Sequence, residues 1–241
     1  QLVDQLRTDI DADTIIGIGI AATGVVEDGV IRESTVLGWR DLDLRGMLER
    51  RFGFPVTISN DVVCSMLAER FFGHGDKSML FIKIDRGIGA ATLIDDVTVI
   101  GQNHAGGEIG HISLDPESGV LCPCGKRGCL ETMVTSPVIR ERIRRASTPE
   151  EQLDIIRSCG EQLAAALAMP IGLLDINDIC VYGPPDIVNA AFLEATQRRV
   201  DMVSSSKFHK HTSVRRCQVG SDIALRGSAI DVVHHYIENG H

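Results

Sequence analysis

Residues 106–131 read GGEIGHISLDPESGVLCPCGKRGCLE, and within them CPCGKRGC (122–129) places Cys122, Cys124 and Cys129 inside eight positions. Redox chemistry, a disulfide and a metal site are the three uses such a cluster can have. The Cys-x-Cys pair sets two sulfurs on one tight loop. Gly125 and Gly128 permit the sharp turns that return Cys129 to them. A tetrahedral zinc requires a fourth ligand, and His111 lies eleven residues before Cys122. A Cys3His set, with zinc–sulfur bonds of about 2.3 Å and a zinc–nitrogen bond of about 2.0–2.1 Å, is ordinary zinc chemistry. A labile disulfide and unpaired thiols stay open on spacing alone, although no thioredoxin-like Cys-x-x-Cys is present and Cys-x-Cys rarely closes into a relaxed disulfide.

The rest of the composition narrows the class. The chain has 241 residues, enough for one large domain or two small ones. Hydrophobic residues make up 44%, which supplies a core, and aromatics only 4%, so that core is aliphatic. A formal charge of −9 argues against direct nucleic-acid binding, which needs a basic face for the phosphates. The longest apolar runs, 15–26 and 163–174, are too short and too rich in Gly or Pro to span a bilayer. No secretory signal is visible. Cys64, Cys159, Cys180 and Cys217 are scattered singly, the usage of an intracellular protein with small buried hydrophobes; a cytoplasmic location is expected. The first residue is Gln1 rather than Met, so the chain is expected to start inside a longer reading frame or to follow processing.

Patterning predicts the elements. Residues 1–10 look like the end of a helix, and DTIIGIGIAATG (13–24) is an apolar strand entering a turn. GVVEDGVI predicts a hairpin through Asp28-Gly29. DLDLRGMLERRFG carries Leu44, Met47 and Leu48 on one helical face and stops at Gly53. FPVTIS is a strand, and Asn60-Asp61 opens the helix VVCSMLAERFFG. KSMLFIKID (77–85) is a strand, followed by a turn and return strand in RGIGAATLIDD. Helices are predicted over 135–146, 149–174, 185–202 and 222–239, with Pro170 expected to kink or end the second. DICVYG (178–183) and VRRCQV are strands, with a polar loop over 203–213. The alternation implies an α/β protein with mixed sheets.

GGEIGHISLD followed by CPCGKRGCLE resembles the signature of the ROK family of repressors, open reading frames and kinases. Gly107, Glu108, Gly110, His111, Cys122, Cys124, Gly125, Gly128, Cys129 and Glu131 fall at family positions. LGWRDLDL, VTISNDVVCSMLAE and DIALRGSAIDVV are similar to further family segments, so the likeness covers nearly the whole chain. It implies a two-lobed, actin-like, ribonuclease-H-like α/β fold, here N-terminally incomplete, with sugar bound in the cleft between lobes. On that basis residues 1–104 form the N-terminal lobe without its first strands. Residues 105–221 form the C-terminal lobe with the zinc loop, and 222–241 a terminal helix returning to the N-terminal lobe. The resemblance also implies a sugar site of Asn60, Asp61, Glu108, His111 and Glu131, and a structural zinc on His111, Cys122, Cys124 and Cys129. A carboxylate accepts hydroxyl hydrogen bonds strongly, which suits a sugar. The blander roles are a helix cap for Asn60, solvated loop charges for Glu108 and Glu131, and a turn with a core indole for Gly38-Trp39. Thr23 and Gly24 stand where the family commonly has Pro-Gly.

Members of the family are sugar kinases or sugar-responsive repressors, usually dimers or tetramers. A kinase holds its phosphates with backbone N–H groups and Mg2+. The family's early phosphate turn is absent here. Asp85-Arg86 replaces Gly and Thr or Ser in the second loop, and Gly183-Pro184-Pro185 replaces a run of glycines. Proline brings no N–H and a bulky ring. The expectation is therefore a sugar-sensing effector domain of a ROK transcriptional regulator. It would bind a sugar or sugar phosphate, have no ATP and no catalytic residue, and contact DNA only through a helix-turn-helix outside this chain. The alternative is an N-terminally truncated ROK sugar kinase, with Asp61 as its base. A zinc-stabilised dimerisation module without ligand is a third reading.

Overall fold

The computed structural model describes residues 14–204 and 211–239; the helix expected over residues 1–10, and part of the loop expected over 203–213, lie outside them. The chain divides into two compact units, residues 1–73 with 219–241 and residues 74–218. The boundary near residue 104 expected from sequence is thus displaced to 73. Its physical reason is backbone pairing: the strands between 79 and 99 share one sheet with those beyond residue 178.

In the first unit, β1 (Ile18–Ala22) pairs in parallel with β5 (Val56–Asn60), Ile18 opposite Val56. Between them in sequence lies an antiparallel sheet of β2 (Val25–Glu27), β3 (Val30–Ser34) and β4 (Trp39–Asp43). Asp28 and Gly29, at φ 50° and 80°, form the two-residue turn between β2 and β3. Positive φ at both positions matches the right-handed twist of the flanking strands, which is why Asp-Gly was legible as a hairpin. Helix α1 (Leu44–Phe52) follows, capped by Asp43 Oδ1, which accepts the Gly46 N–H at 2.8 Å. Ala22, Ile31, Val56 and Ile58 form the small aliphatic core, flanked by Ile18, Ile20, Leu44 and Leu48. Trp39 does not join it: the indole is exposed, which corrects the core-indole reading.

Helix α2 (Asp61–Phe72) packs along the terminal helix, which we number α7 below and which spans Ile223–Glu238. The two backbones meet so closely that a Cβ on Gly227 would overlap the Cys64 carbonyl. Ser59 Oγ donates to Asp231 Oδ2 at 2.9 Å, fixing the same helix to the end of β5.

The second unit is built on a five-stranded sheet. Its members are β6 (Met79–Ile84), β7 (Ile88–Ile94), β8 (Val97–Val99), β9 (Asp178–Tyr182) and β10 (Ser213–Arg216), in the order β10-β9-β6-β7-β8. β10, β9 and β6 run parallel; β7 pairs antiparallel with β6, and β8 antiparallel with β7. β6 reads MLFIKI and is buried at every position but Lys83, the continuous apolar run of a strand covered on both faces. Helices α3 (Glu131–Val134), α4 (Ser136–Arg145), α5 (Pro149–Leu174) and α6 (Ala190–Ser204) complete the unit. Leu163, Leu167 and Phe192 pack with Ile82, Ile84 and Ile179 in its core.

α5 begins with Thr148 Oγ1 accepting the Glu151 N–H at 3.1 Å while the Glu151 carboxylate accepts the Ser147 N–H at 2.6 Å. The reciprocal cap and Pro149 in the first turn set its start. Pro170 does not end it; the helix runs on to Leu174 and stops where Asp175 turns left-handed at φ 51°. Burial of Ile171 against the core holds that last turn in place despite the missing N–H.

Gly227→Ala tests the α2–α7 contact. Overpacking a tight site costs about 1–3 kcal/mol, so the variant is expected to melt several degrees below wild type in a thermal scan, whereas an unchanged melting temperature would contradict this approach.

Candidate functional site

The site begins as a loop laid on β7. Gly107 (φ 94°) carries the chain so close to the strand that a Cβ would overlap the Ala90 carbonyl, and the Ala90 N–H donates to Gly107 O at 2.8 Å. Only glycine fits both the backbone angle and the space. The next residues, Ile109–His111, close a 3-10 turn in which the His111 N–H donates to Glu108 O at 3.2 Å. Ile109 is buried and anchors the turn; Glu108 is exposed and His111 half-buried.

The cysteine stretch folds back on this turn. Cys122 N–H donates to Lys126 O at 2.8 Å, Leu114 N–H to Gly128 O at 2.8 Å, and Leu130 N–H to Ile112 O at 2.9 Å. Isolated bridges pair Ser113 with Cys129 and Leu121 with Arg127. The left-handed φ of Gly125 (91°) and Gly128 (63°) supplies the turns the sequence spacing demands.

These bonds bring four donors together. Ligand atoms of His111, Cys122, Cys124 and Cys129 all lie within 4.8 Å of one another. Cys122 Sγ is 3.6 Å from His111 Nδ1, and Cys124 Sγ is 3.6 Å from Cys129 Sγ. Sulfurs on one tetrahedral zinc stand about 3.8 Å apart, from bonds of about 2.3 Å; a disulfide would need about 2.05 Å. None of the seven cysteines forms a disulfide, and the four converging donors could hold a metal ion. His111 turns Nδ1 toward the sulfurs, leaving Nε2 for another partner.

Burial pushes the Cys122 thiol up to about 12, and burial also raises Cys129. Exposed Cys124 is lowered, chiefly by the Lys126 N–H. Buried sulfurs that resist ionisation by themselves give up their protons to a cation.

Glu131, the first residue of α3, borders the cluster. Its Oε1 lies 3.6 Å from Cys122 Sγ and 3.9 Å from His111 Nδ1. Gly87, in the β6–β7 turn, is its neighbour: a Cβ there would sit 3.5 Å from Glu131 Oε2. Sequence reasoning named Glu131 but did not place Gly87 beside it, because across the forty-odd positions between them no spacing signal marks the contact.

Asn60 and Asp61 belong to the first unit, at the junction of β5 and α2. Asn60 Oδ1 accepts the N–H groups of Val62 (2.8 Å) and Val63 (3.3 Å), and Nδ2 donates to Gly24 O at 2.9 Å. Asn60 therefore caps α2 and ties down the turn at Thr23-Gly24, a contact the sequence did not announce. Asp61 stands half-buried in the first turn of α2, where the helix dipole favours a carboxylate.

The two loops weighed for phosphate binding are occupied by their own backbone. The Asp85 N–H donates to Gly87 O at 2.9 Å, and Asp85 O accepts the Ser136 N–H at 2.8 Å. Pro184 O accepts from Ile187 (3.0 Å) and Val188 (2.9 Å), while Gly183 O accepts from Arg216 at 3.0 Å. Just beyond, Asp186 takes a two-pronged bond from Arg140, at 3.0 and 3.1 Å, which holds its carboxyl below the usual range. No described helix is long and apolar enough to cross a membrane.

Residues 1–233 match the family model described as the ROK family, and the chain belongs to that family. Over 126 residues, 51% of this chain and 38% of the relative, it is 40% identical to a glucokinase of Halalkalibacterium halodurans. Over 135 residues, 54% of this chain and 34% of the relative, it is 30% identical to a xylose repressor of Caldicellulosiruptor bescii. These matches span well under half the length of either relative. Among solved structures, a ROK family transcriptional regulator, a homologue of the Escherichia coli MLC protein, superposes with a TM-score of 0.85 at 23% identity, covering 98% of this chain and 66% of that one. The fold is accordingly the actin-like α/β fold of ROK kinases and regulators.

Cobalt(II) titration tests the knuckle. Saturation near one equivalent, with tetrahedral thiolate bands that Cys129→Ser abolishes, is expected. Because Cys122 holds its proton through neutrality, the metal must displace it, so affinity is expected to rise from about pH 6 to pH 8.

Proposed function

We propose that the chain is the sugar-sensing part of a ROK-family transcriptional regulator. Zinc is the metal of the Cys3His knuckle in this reading, held by His111, Cys122, Cys124 and Cys129. Its role is structural, clamping the loop that presents Glu108, His111 and Glu131. With Asn60 and Asp61 of the first unit, these residues are the proposed sugar contacts. Asp61, Glu108 and Glu131 accept hydroxyl hydrogen bonds, and His111 offers the ring nitrogen that faces away from the sulfurs. Asn60, whose Oδ1 is committed to the cap, has its second amide hydrogen to give.

The observation that carries the choice of sensor over kinase is the Gly183-Pro184-Pro185 turn. Two consecutive residues without N–H stand where the family's kinases keep glycines, and the Pro184 carbonyl is spent on the local turn. The Asp85 loop adds to it: a carboxylate repels phosphate, and its N–H is already bonded. Phosphoryl transfer rests on such donors. DNA binding belongs to a helix-turn-helix in another part of the protein, since a chain of charge −9 has no surplus of cations for a phosphate backbone. Sugar acts by favouring one arrangement of a homodimer or homotetramer, in proportion to its differential affinity for the two states.

A sugar kinase is the second reading, favoured by the 40% identity to a glucokinase and by the position of Asp61 at the start of α2, where a base for the attacking hydroxyl would stand.

Thermal melting against a panel of neutral and phosphorylated sugars, with MgATP as a separate arm, distinguishes them. Binding to the folded state raises the melting temperature by mass action. The expected result is a rise with one class of sugar, reduced at least tenfold in apparent affinity by Asp61→Asn, and none with MgATP. A rise with MgATP would establish the kinase reading.

A further inference from the structure

We infer that Lys126 is a positioning residue for the metal, the side chain that holds the His111 arm against the cysteine knuckle once the ion is bound. The inference rests on the metal reading above and names a residue outside the donor set.

Lys126 touches three of the four donor residues. Its carbonyl accepts the Cys122 N–H at 2.8 Å, and its N–H hydrogen-bonds Cys124. Any residue but proline at this position would supply those two backbone bonds. The third depends on the side chain: Lys126 Nζ donates to the His111 carbonyl at 2.6 Å, across fifteen positions of sequence. It is a charge-assisted bond, of the stronger kind.

The His111 carbonyl has a second donor, the Cys129 thiol, at 3.7 Å. A metal-bound cysteine is a thiolate and has no proton to donate. With a metal bound, that contact would place a sulfur anion against the carbonyl oxygen, two negative ends. The ammonium of Lys126 then remains as donor to the carbonyl and offsets the repulsion. Three thiolates with a divalent ion also leave one net negative charge, which a single lysine balances. Lys126 therefore supports the loaded knuckle more than the empty one, and its side chain is felt in metal affinity before it is felt in folding.

The experiment compares wild type with Lys126→Met, which keeps the stem and removes the charge, and Lys126→Arg, which restores it. Zinc affinity is read by competition with a chromophoric chelator at fixed pH, and the melting temperature of the metal-free protein is read in parallel. Loss of an outer partner of a metal ligand typically costs about 10–100-fold in affinity. The expectation is a loss of at least about tenfold for Lys126→Met, recovery to within about threefold for Lys126→Arg, and an unchanged metal-free melting temperature in both. Equal affinity in wild type and Lys126→Met overturns the inference. So does a fall in metal-free stability of Lys126→Met, which makes the lysine a general structural support. A wild type that binds no zinc overturns the metal reading itself, and is recognised because every variant is then silent.

Discussion

Sulfur burial is the constraint from which the site follows. Cys122 and Cys129 are withdrawn from water and held near His111 and Cys124 by a lattice of backbone bonds, and a cation bound there would have to displace thiol protons that burial retains. That demand reaches outward. The knuckle requires the tight turns at Gly125 and Gly128; it requires His111 to arrive on a loop pressed against β7 through Gly107; and it leaves Glu131 at the start of α3, beside both the sulfurs and the β6–β7 turn. A carboxylate and an imidazole are thereby fixed by a metal-sized cluster of sulfurs rather than by a hydrophobic core.

Much of this was legible in the sequence because the decisive signals are local. Asp28-Gly29, the apolar run of β6 and the spacing of the three cysteines each act over a few residues. Features set by distant partners were not. The unit boundary moved from about 104 to 73 because β6 pairs with β9, which follows more than eighty residues later, and carries β7 and β8 with it into that sheet. Pro170 stayed inside α5 because tertiary packing of Ile171 outweighs a lost hydrogen bond. Trp39, large and apolar, ended on the surface since the short strand β4 turns it away from the small core of the first unit. Within the candidate site, the metal donors were found by pattern, whereas the contact of Gly87 with Glu131 and the reach of Lys126 to His111 required coordinates.

The relatives of this chain include a glucokinase and a xylose repressor. What separates them physically is the treatment of phosphate. Backbone N–H groups are cheap, rigid donors for it, and this chain lacks them at Pro184 and Pro185 and uses the one at Asp85 for its own turn. The Arg140–Asp186 pair next to the proline turn neutralises a guanidinium that would otherwise be free for an anion. A sensor has no need of these donors, only of a pocket whose occupancy changes the balance between states.

The most direct measurement is sugar affinity, by calorimetry, in the same preparation before and after removal of its metal by a chelator, with circular dichroism confirming that the fold persists. The metal-supported placement of His111 and Glu131 predicts that affinity falls at least tenfold on removal and returns when zinc is restored. Equal affinity with and without metal would contradict the account.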